Sequence, residues 1–257
     1  MTVLAAQRCY ADRPGPWLVW LHGLWGNKEE WLTAAAEAGN YPSLLIDLPG
    51  HGGSQSVRGK NFPHVSQLIA DTLAAHQADD YWLIGYSLGG RLAMYHAAYG
   101  DPAGLRGLII EAGNPGLATL DERNARLLHD NRWAQQLRER PLASVLYDWY
   151  RQGVFADLNE VQRQQRVEQH LHHNAFAIAD MLSDTSLGHQ PQLAEKLHAL
   201  NLPLLYLCGE RDSKFRAIAE AHHFPLRTIQ YAGHNTHQAN PAAFAETVRT
   251  FLSLHSV

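Results

Sequence analysis

The stretch Tyr81-Trp82-Leu83-Ile84-Gly85-Tyr86-Ser87-Leu88-Gly89-Gly90-Arg91 decides the fold. Its first residues form a short apolar run that reads as a buried strand. Gly85 to Gly89 fits the pattern G-x-S-x-G. The pattern alone is weak, but here a strand precedes it and an amphipathic helical pattern follows. That context makes it a nucleophile elbow, a strained turn that lifts the Ser87 hydroxyl above the sheet. Small residues on both sides of the serine relieve clashes in the turn. The Leu88 N–H, at a helix N-terminus, is then aimed at the reacting oxygen.

Outward from the elbow, further apolar runs alternate with helical patterns. The runs are Trp17–Leu21, Ser43–Ile46, Gly107–Ile110, Pro203–Leu207 and Thr228–Tyr231, and helices are expected over Val65–Gln77 and Leu88–Ala98. Continuous apolar strands alternating with helices give a mostly parallel sheet with helices on both faces. From Leu117 to Leu200 no strand pattern is evident and the chain reads as helical. We therefore expect an α/β-hydrolase fold, with residues 1–116 and 201–257 as the core and 117–200 as a helical cap over the carboxyl ends of the strands, where open α/β sheets bind ligands.

A serine hydroxyl needs a histidine to take its proton and an acid to orient that histidine. On this fold the chain order is Ser, acid, His. Asp212 follows one expected strand and His234 another, so Ser87, Asp212 and His234 are the expected triad. Glu210 and His237 are the competitors for the second and third places. After the first long strand comes Leu21-His22-Gly23-Leu24-Trp25, and the Leu24 N–H is the expected second oxyanion donor beside Leu88. His51 reads as a loop organiser.

The chain has 257 residues, 46% hydrophobic and 18% charged, with a net charge of −4. This mild balance leaves no footprint for nucleic acid or an anionic membrane. No stretch approaches the roughly 18 apolar residues of a membrane span. Met1 to Trp17 holds Arg8, Asp12 and Arg13 and no apolar segment, so no signal peptide is expected. Two cysteines, Cys9 and Cys208, make no disulfide framework, and a cytoplasmic monomer is the simple expectation. Three of the sixteen histidines, His170, His172 and His173, fall close together. Their spacing fits no zinc motif and reads as a solvated helix face. No cofactor or metal is expected. Between Asp121 and His170 there are eight arginines, no lysine and eight acids. Guanidinium groups pair bidentately with carboxylates, so a small polycarboxylate substrate would suit such a roof, although many of these arginines can instead pair with the acids on exposed faces.

Four segments carry a family resemblance: Gly85 to Arg91, Glu111 to Leu117, Cys208 to Arg216 and Gly233 to His237. With these the chain resembles the MenH family, the 2-succinyl-6-hydroxy-2,4-cyclohexadiene-1-carboxylate synthases of menaquinone biosynthesis. The resemblance implies a lyase that eliminates pyruvate from an enolpyruvyl-cyclohexene substrate. In it Ser87, helped by His234, takes a ring proton, and Leu24 and Leu88 hold the enolate-like charge. It also implies substrate contacts at Tyr86, Arg91, Arg126, Trp149 and Tyr150. Two departures stand out. Leu24-Trp25 replaces the family's usual Phe-Ser, and a family arginine falls on His170, for which Arg166, one turn earlier, is the candidate replacement. The same triad would serve a carboxylesterase or C–C hydrolase acting through an acyl-enzyme, so that alternative stays open.

Overall fold

The computed structural model describes residues 2–100 and 103–255. Seven strands form one sheet: β1 (Ala6–Cys9), β2 (Trp17–Leu21), β3 (Ser43–Ile46), β4 (Tyr81–Tyr86), β5 (Leu105–Glu111), β6 (Leu204–Gly209) and β7 (Leu226–Ile229). Their order is β1-β3-β2-β4-β5-β6-β7, with β1 antiparallel to β3 and every other pair parallel. This is the expected mostly parallel α/β-hydrolase sheet.

Period-two alternation divides the strand side chains between two apolar clusters. Val19, Leu21, Leu83, Ile110 and Tyr206 belong to one; Leu18, Trp20, Ile84, Ile109 and Leu207 belong to the other. Because both faces are covered, all six residues of β4 are buried. Helices α2 (Phe62–Ala75) and α3 (Leu88–Tyr99) supply residues to the first cluster. Helices α1 (Leu32–Glu37) and α11 (Pro241–Leu254) cover the other face. Helix α3 is buried from Leu88 to Ala97 rather than amphipathic, because α2, the sheet and α8 (Ala194–Ala199) surround it.

Between β5 and β6 the chain forms α4 (Leu120–Glu139), α5 (Leu142–Trp149), α6 (Glu160–His170), α7 (Ala175–Asp184) and α8, with no strand. Capping boxes, Thr119 with Glu122 and Asn159 with Gln162, start α4 and α6. Helices α4 to α7 build a third apolar cluster that also takes in Trp25 from the loop after β2. Leu193, Ala194 and Leu197, at α8, pack instead in the first cluster. Helices α9 (Ser213–Ala221) and α10 (Thr236–Ala239) follow β6 and β7. Among the described residues no helix is long and apolar enough to cross a membrane.

Candidate active site

The carboxyl ends of β2, β4, β5, β6 and β7 converge on one place. At the end of β4, Ser87 has φ 49° and ψ −106°. Holding a non-glycine residue there costs about 1–3 kcal/mol. The flanking glycines make the turn possible. A Cβ on Gly85 would lie 2.4 Å from the Gly89 carbonyl oxygen, and one on Gly89 would lie 2.2 Å from that of Leu21.

The structure brings the three expected triad residues together. The Ser87 hydroxyl lies 3.2 Å from His234 Nε2, and His234 Nδ1–H donates to Asp212 Oδ2 at 2.8 Å. The other Asp212 oxygen accepts the Phe215 N–H at 3.2 Å and so caps α9. His234 and Asp212 are buried, and the Phe215 and Tyr86 rings lie 4.7 and 5.4 Å from the imidazole. Neither competitor takes a triad place. Glu210 lies beside Arg211, and His237 is enclosed behind the site.

Leu24, expected as the second oxyanion donor, sits in a turn in which the Gly26 N–H bonds the Gly23 carbonyl. Trp25 occupies the third turn position at φ 72°. Leu88 opens α3, so its N–H has no partner within the helix. Leu24 and Leu88 both line the cavity that holds Ser87.

Two cavities share Leu24. The inner one, about 100 Å³, is lined by Ser87, Leu88, Arg91, Arg126, Trp149 and also Lys214 and Asn114, with no acidic side chain among its lining. The outer one, about 490 Å³, is lined by His234, Tyr86, Tyr150 and Arg166, with Glu30 and His170. Arg91 is buried, and its Nε and Nη2 donate to the Gln190 side chain at 2.8 Å and the Thr185 carbonyl at 2.5 Å, both neutral. Burial, reinforced by Arg126, pulls the Arg91 pKa down. Lys214 also lines the cavity while remaining exposed to solvent, and desolvation and Arg126 lower its pKa. Among the described residues no carboxylate lies at ion-pair distance from Arg91, Lys214 or Arg166. Sequence reasoning passed over Lys214. Its place two residues after Asp212, at the start of a helix aimed at the site, was the available signal.

The arginines above the sheet separate by partner. Arg126 meets Asp130 at 2.8 Å, Arg138 meets Asp180 at 2.5 Å, and Arg140 meets Asp148 at 2.8 Å. Arg151 and Arg163 share Glu160 at 3.8 and 3.4 Å. Arg166 bonds only neutral side chains, those of Gln238 and Gln169.

The histidine group corrects the expectation of a solvated face. His172 is exposed, but His170 and His173 are buried. Helix α6 ends at His170, whose ring stacks between Tyr150 and His173, and the His173 ring meets His51 edge-on, which itself packs on His22. Burial pushes His170 down to about 3 and, with His172 beside it, His173 down to about 4, so both are neutral. A neutral His170 cannot stand in for an arginine. Among the described residues no group of His, Cys, Asp or Glu has the arrangement to hold a metal ion.

An elbow serine, an acid and a histidine after the parallel strands β4, β6 and β7 define an α/β-hydrolase, and the model of the alpha/beta hydrolase family matches residues 18–247. Within that class, the chain belongs to the 2-succinyl-6-hydroxy-2,4-cyclohexadiene-1-carboxylate synthase family. It is 54% identical to the synthase of that name from Yersinia enterocolitica over 94% of this chain and 88% of the relative. It is 54% identical to that of Photorhabdus laumondii over 95% and 87%. The solved MenH of S. aureus superposes with a TM-score of 0.89 at 28% identity, over 97% of this chain and 98% of that one. A thermophilic esterase from Thermogutta terrifontis, TM-score 0.80 at 20% identity over 99% and 94%, shares the fold.

Proposed function

We propose that this chain eliminates pyruvate from 2-succinyl-5-enolpyruvyl-6-hydroxy-3-cyclohexene-1-carboxylate to give 2-succinyl-6-hydroxy-2,4-cyclohexadiene-1-carboxylate. The observation that carries the reading beyond a general hydrolase is the inner cavity. Beside Ser87 it holds Arg91 and Lys214, neither at ion-pair distance from a carboxylate among the described residues, together with Arg126, whose partner Asp130 lies outside the lining, and this suits carboxylate arms better than a neutral ester.

In this reading His234, oriented by Asp212, takes the Ser87 proton, and the serine oxygen removes the ring proton next to the succinyl ketone. The C–H electrons form a new ring double bond, the existing double bond shifts, and the bond to the enolpyruvyl oxygen breaks. The leaving enolpyruvate takes up a proton as pyruvate. The Leu24 and Leu88 N–H groups hold the enolate-like charge on the ketone oxygen. Arg91, Arg126 and Lys214 bind carboxylate on the inner side. Tyr86, Trp149 and Tyr150 bound the ring, and Arg166 supplies on the outer side the cation that His170 cannot. Residues 117–200 serve as the cap over a core of 1–116 and 201–257. A monomer suffices, since one chain supplies every group named, and two free cysteines suit the cytoplasm.

The test follows pyruvate release and the ultraviolet absorbance of the new diene, using substrate made freshly by the enzyme that supplies it. Rapid diene formation that collapses in Ser87→Ala supports the lyase. No acceleration over the spontaneous reaction, together with brisk hydrolysis of an aryl ester, leaves an esterase.

A further inference from the structure

Glu111, the last residue of β5, is fully buried and touches both Ser87 and the residues two and three positions beyond His234. Its backbone carbonyl accepts the Ser87 N–H at 2.8 Å. Its carboxylate gathers donors from the loop that carries His234. Oε1 accepts the Thr236 N–H at 2.5 Å, the Thr236 hydroxyl at 2.7 Å and the His237 N–H at 3.1 Å. Oε2 accepts His237 Nδ1–H at 2.6 Å.

The His237 side chain has no exposed surface. It stacks on Trp31 at 4.1 Å, meets the Tyr86 ring edge-on at 5.1 Å, and its Nε2 lies 3.9 Å from Glu30. Against the downward pull of burial, Glu111 and then Glu30 push its pKa up to about 9, so it is an imidazolium at neutral pH. So enclosed a ring cannot touch a substrate, and whatever it does acts through neighbours.

We propose that Glu111 and His237 are positioning residues, a buried ion pair that ties the His234 loop to the nucleophile elbow and fixes His234 at hydrogen-bonding distance from Ser87. The proposal rests on the reading of Ser87 as the reacting group. Helix α10, two residues past His234, has only four residues and cannot hold its own orientation. The Glu111 carboxylate holds its first two residues in place. The Ser87–His234 contact, at 3.2 Å, is already long for O–H···N and has little slack. Displacing reacting groups by about 1 Å costs on the order of 10²-fold in rate.

The experiment measures phosphonylation of Ser87 by an alkyl fluorophosphonate, which expels fluoride as the Ser87 oxygen bonds phosphorus and needs the triad but not the native substrate, beside kcat and KM for pyruvate release. Glu111→Ala is expected to slow phosphonylation and kcat together by roughly 10²-fold with KM little changed, and Glu111→Gln, which keeps an oxygen for the Thr236 donors, to recover part of the loss. His237→Gln, which removes only the charged ring, carries the same test if Glu111→Ala does not fold. Phosphonylation at the wild-type rate in these variants, or a loss confined to KM, overturns the proposal. A wild-type protein that reacts with the probe but releases no pyruvate overturns the functional reading instead, and the probe still judges the tether.

Discussion

His173 Nε2–H donates to the Trp25 carbonyl at 2.5 Å, with the two rings 5.9 Å apart, so a residue of the helical insertion grips the loop that carries Leu24. Trp25 is 1% exposed and also meets Trp149 edge-on at 5.8 Å. Trp25 is thus a large anchor between the loop after β2 and helices α4 to α7. Trp25→Ala is expected to cost about 3–5 kcal/mol in stability. Urea unfolding gives the magnitude, and hydrogen exchange should show the loss of protection concentrated in α4 to α7. An unchanged urea midpoint would rule out the anchor.

Asp212→Asn should leave the fold intact and lower kcat by about 10⁴-fold, since the amide stabilises the wrong imidazole tautomer. Circular dichroism and single-turnover pyruvate release separate the two effects. A loss below tenfold would return the orienting role to another acid.

Arg91→Ala and Lys214→Ala should each raise KM by roughly 10- to 100-fold, the loss of one charge-assisted hydrogen bond to a carboxylate. Arg91→Lys should restore little, because a point charge does not reproduce the fork. Arg166→Ala should raise KM as well. Unchanged affinity there would leave the outer carboxylate without its proposed partner.

Stability should fall as the pH drops from about 6.5 toward 5. His22, His51, His170 and His173 have pKa values lowered by burial, whereas the unfolded chain binds a proton at each near 6.5. Below that pH the unfolded state takes up protons that the fold refuses, each histidine steepening the decline by at most about 1.4 kcal/mol per pH unit. His237 has the opposite sign. Its raised pKa adds stability that is complete below about 6.5 and is lost as the pH rises through about 9. Thermal melts from pH 7 to 5 check the first effect, and melts from 7 to 9.5 the second. A melting temperature flat from 6.5 to 5 would contradict the buried neutral cluster.

The strand–elbow–helix stretch, the triad and the chain order were legible because each rests on local chemistry: a continuous apolar run, two small residues beside a serine, acids and histidines at strand ends. What escaped depends on tertiary context. Strand β1 carries Gln7 and Arg8 and pairs only along one edge, so it lacks the buried apolar run of its neighbours. Strand β7 lies at Leu226–Ile229, two residues before the expected position, since Tyr231 leaves the sheet at φ 60° and is exposed. The burial of His170 and His173 was not legible because it comes from side chains outside their own segment, Tyr150 against His170 and Trp25 and His51 against His173. Glu111 was quoted only for its family resemblance. Nothing local says that its carboxylate reaches a loop 125 positions further on.

The two oxygens of Asp212 have different employers, one ending on the Phe215 amide and the other on the imidazole. The placing of the acid and the capping of the first turn of α9 are therefore coupled. No conformer can keep that turn wound with its cap while swinging the acid away. The Phe215 amide proton becomes a silent witness to the place of the acid, and its exchange with solvent can be timed in an enzyme that has never met a substrate.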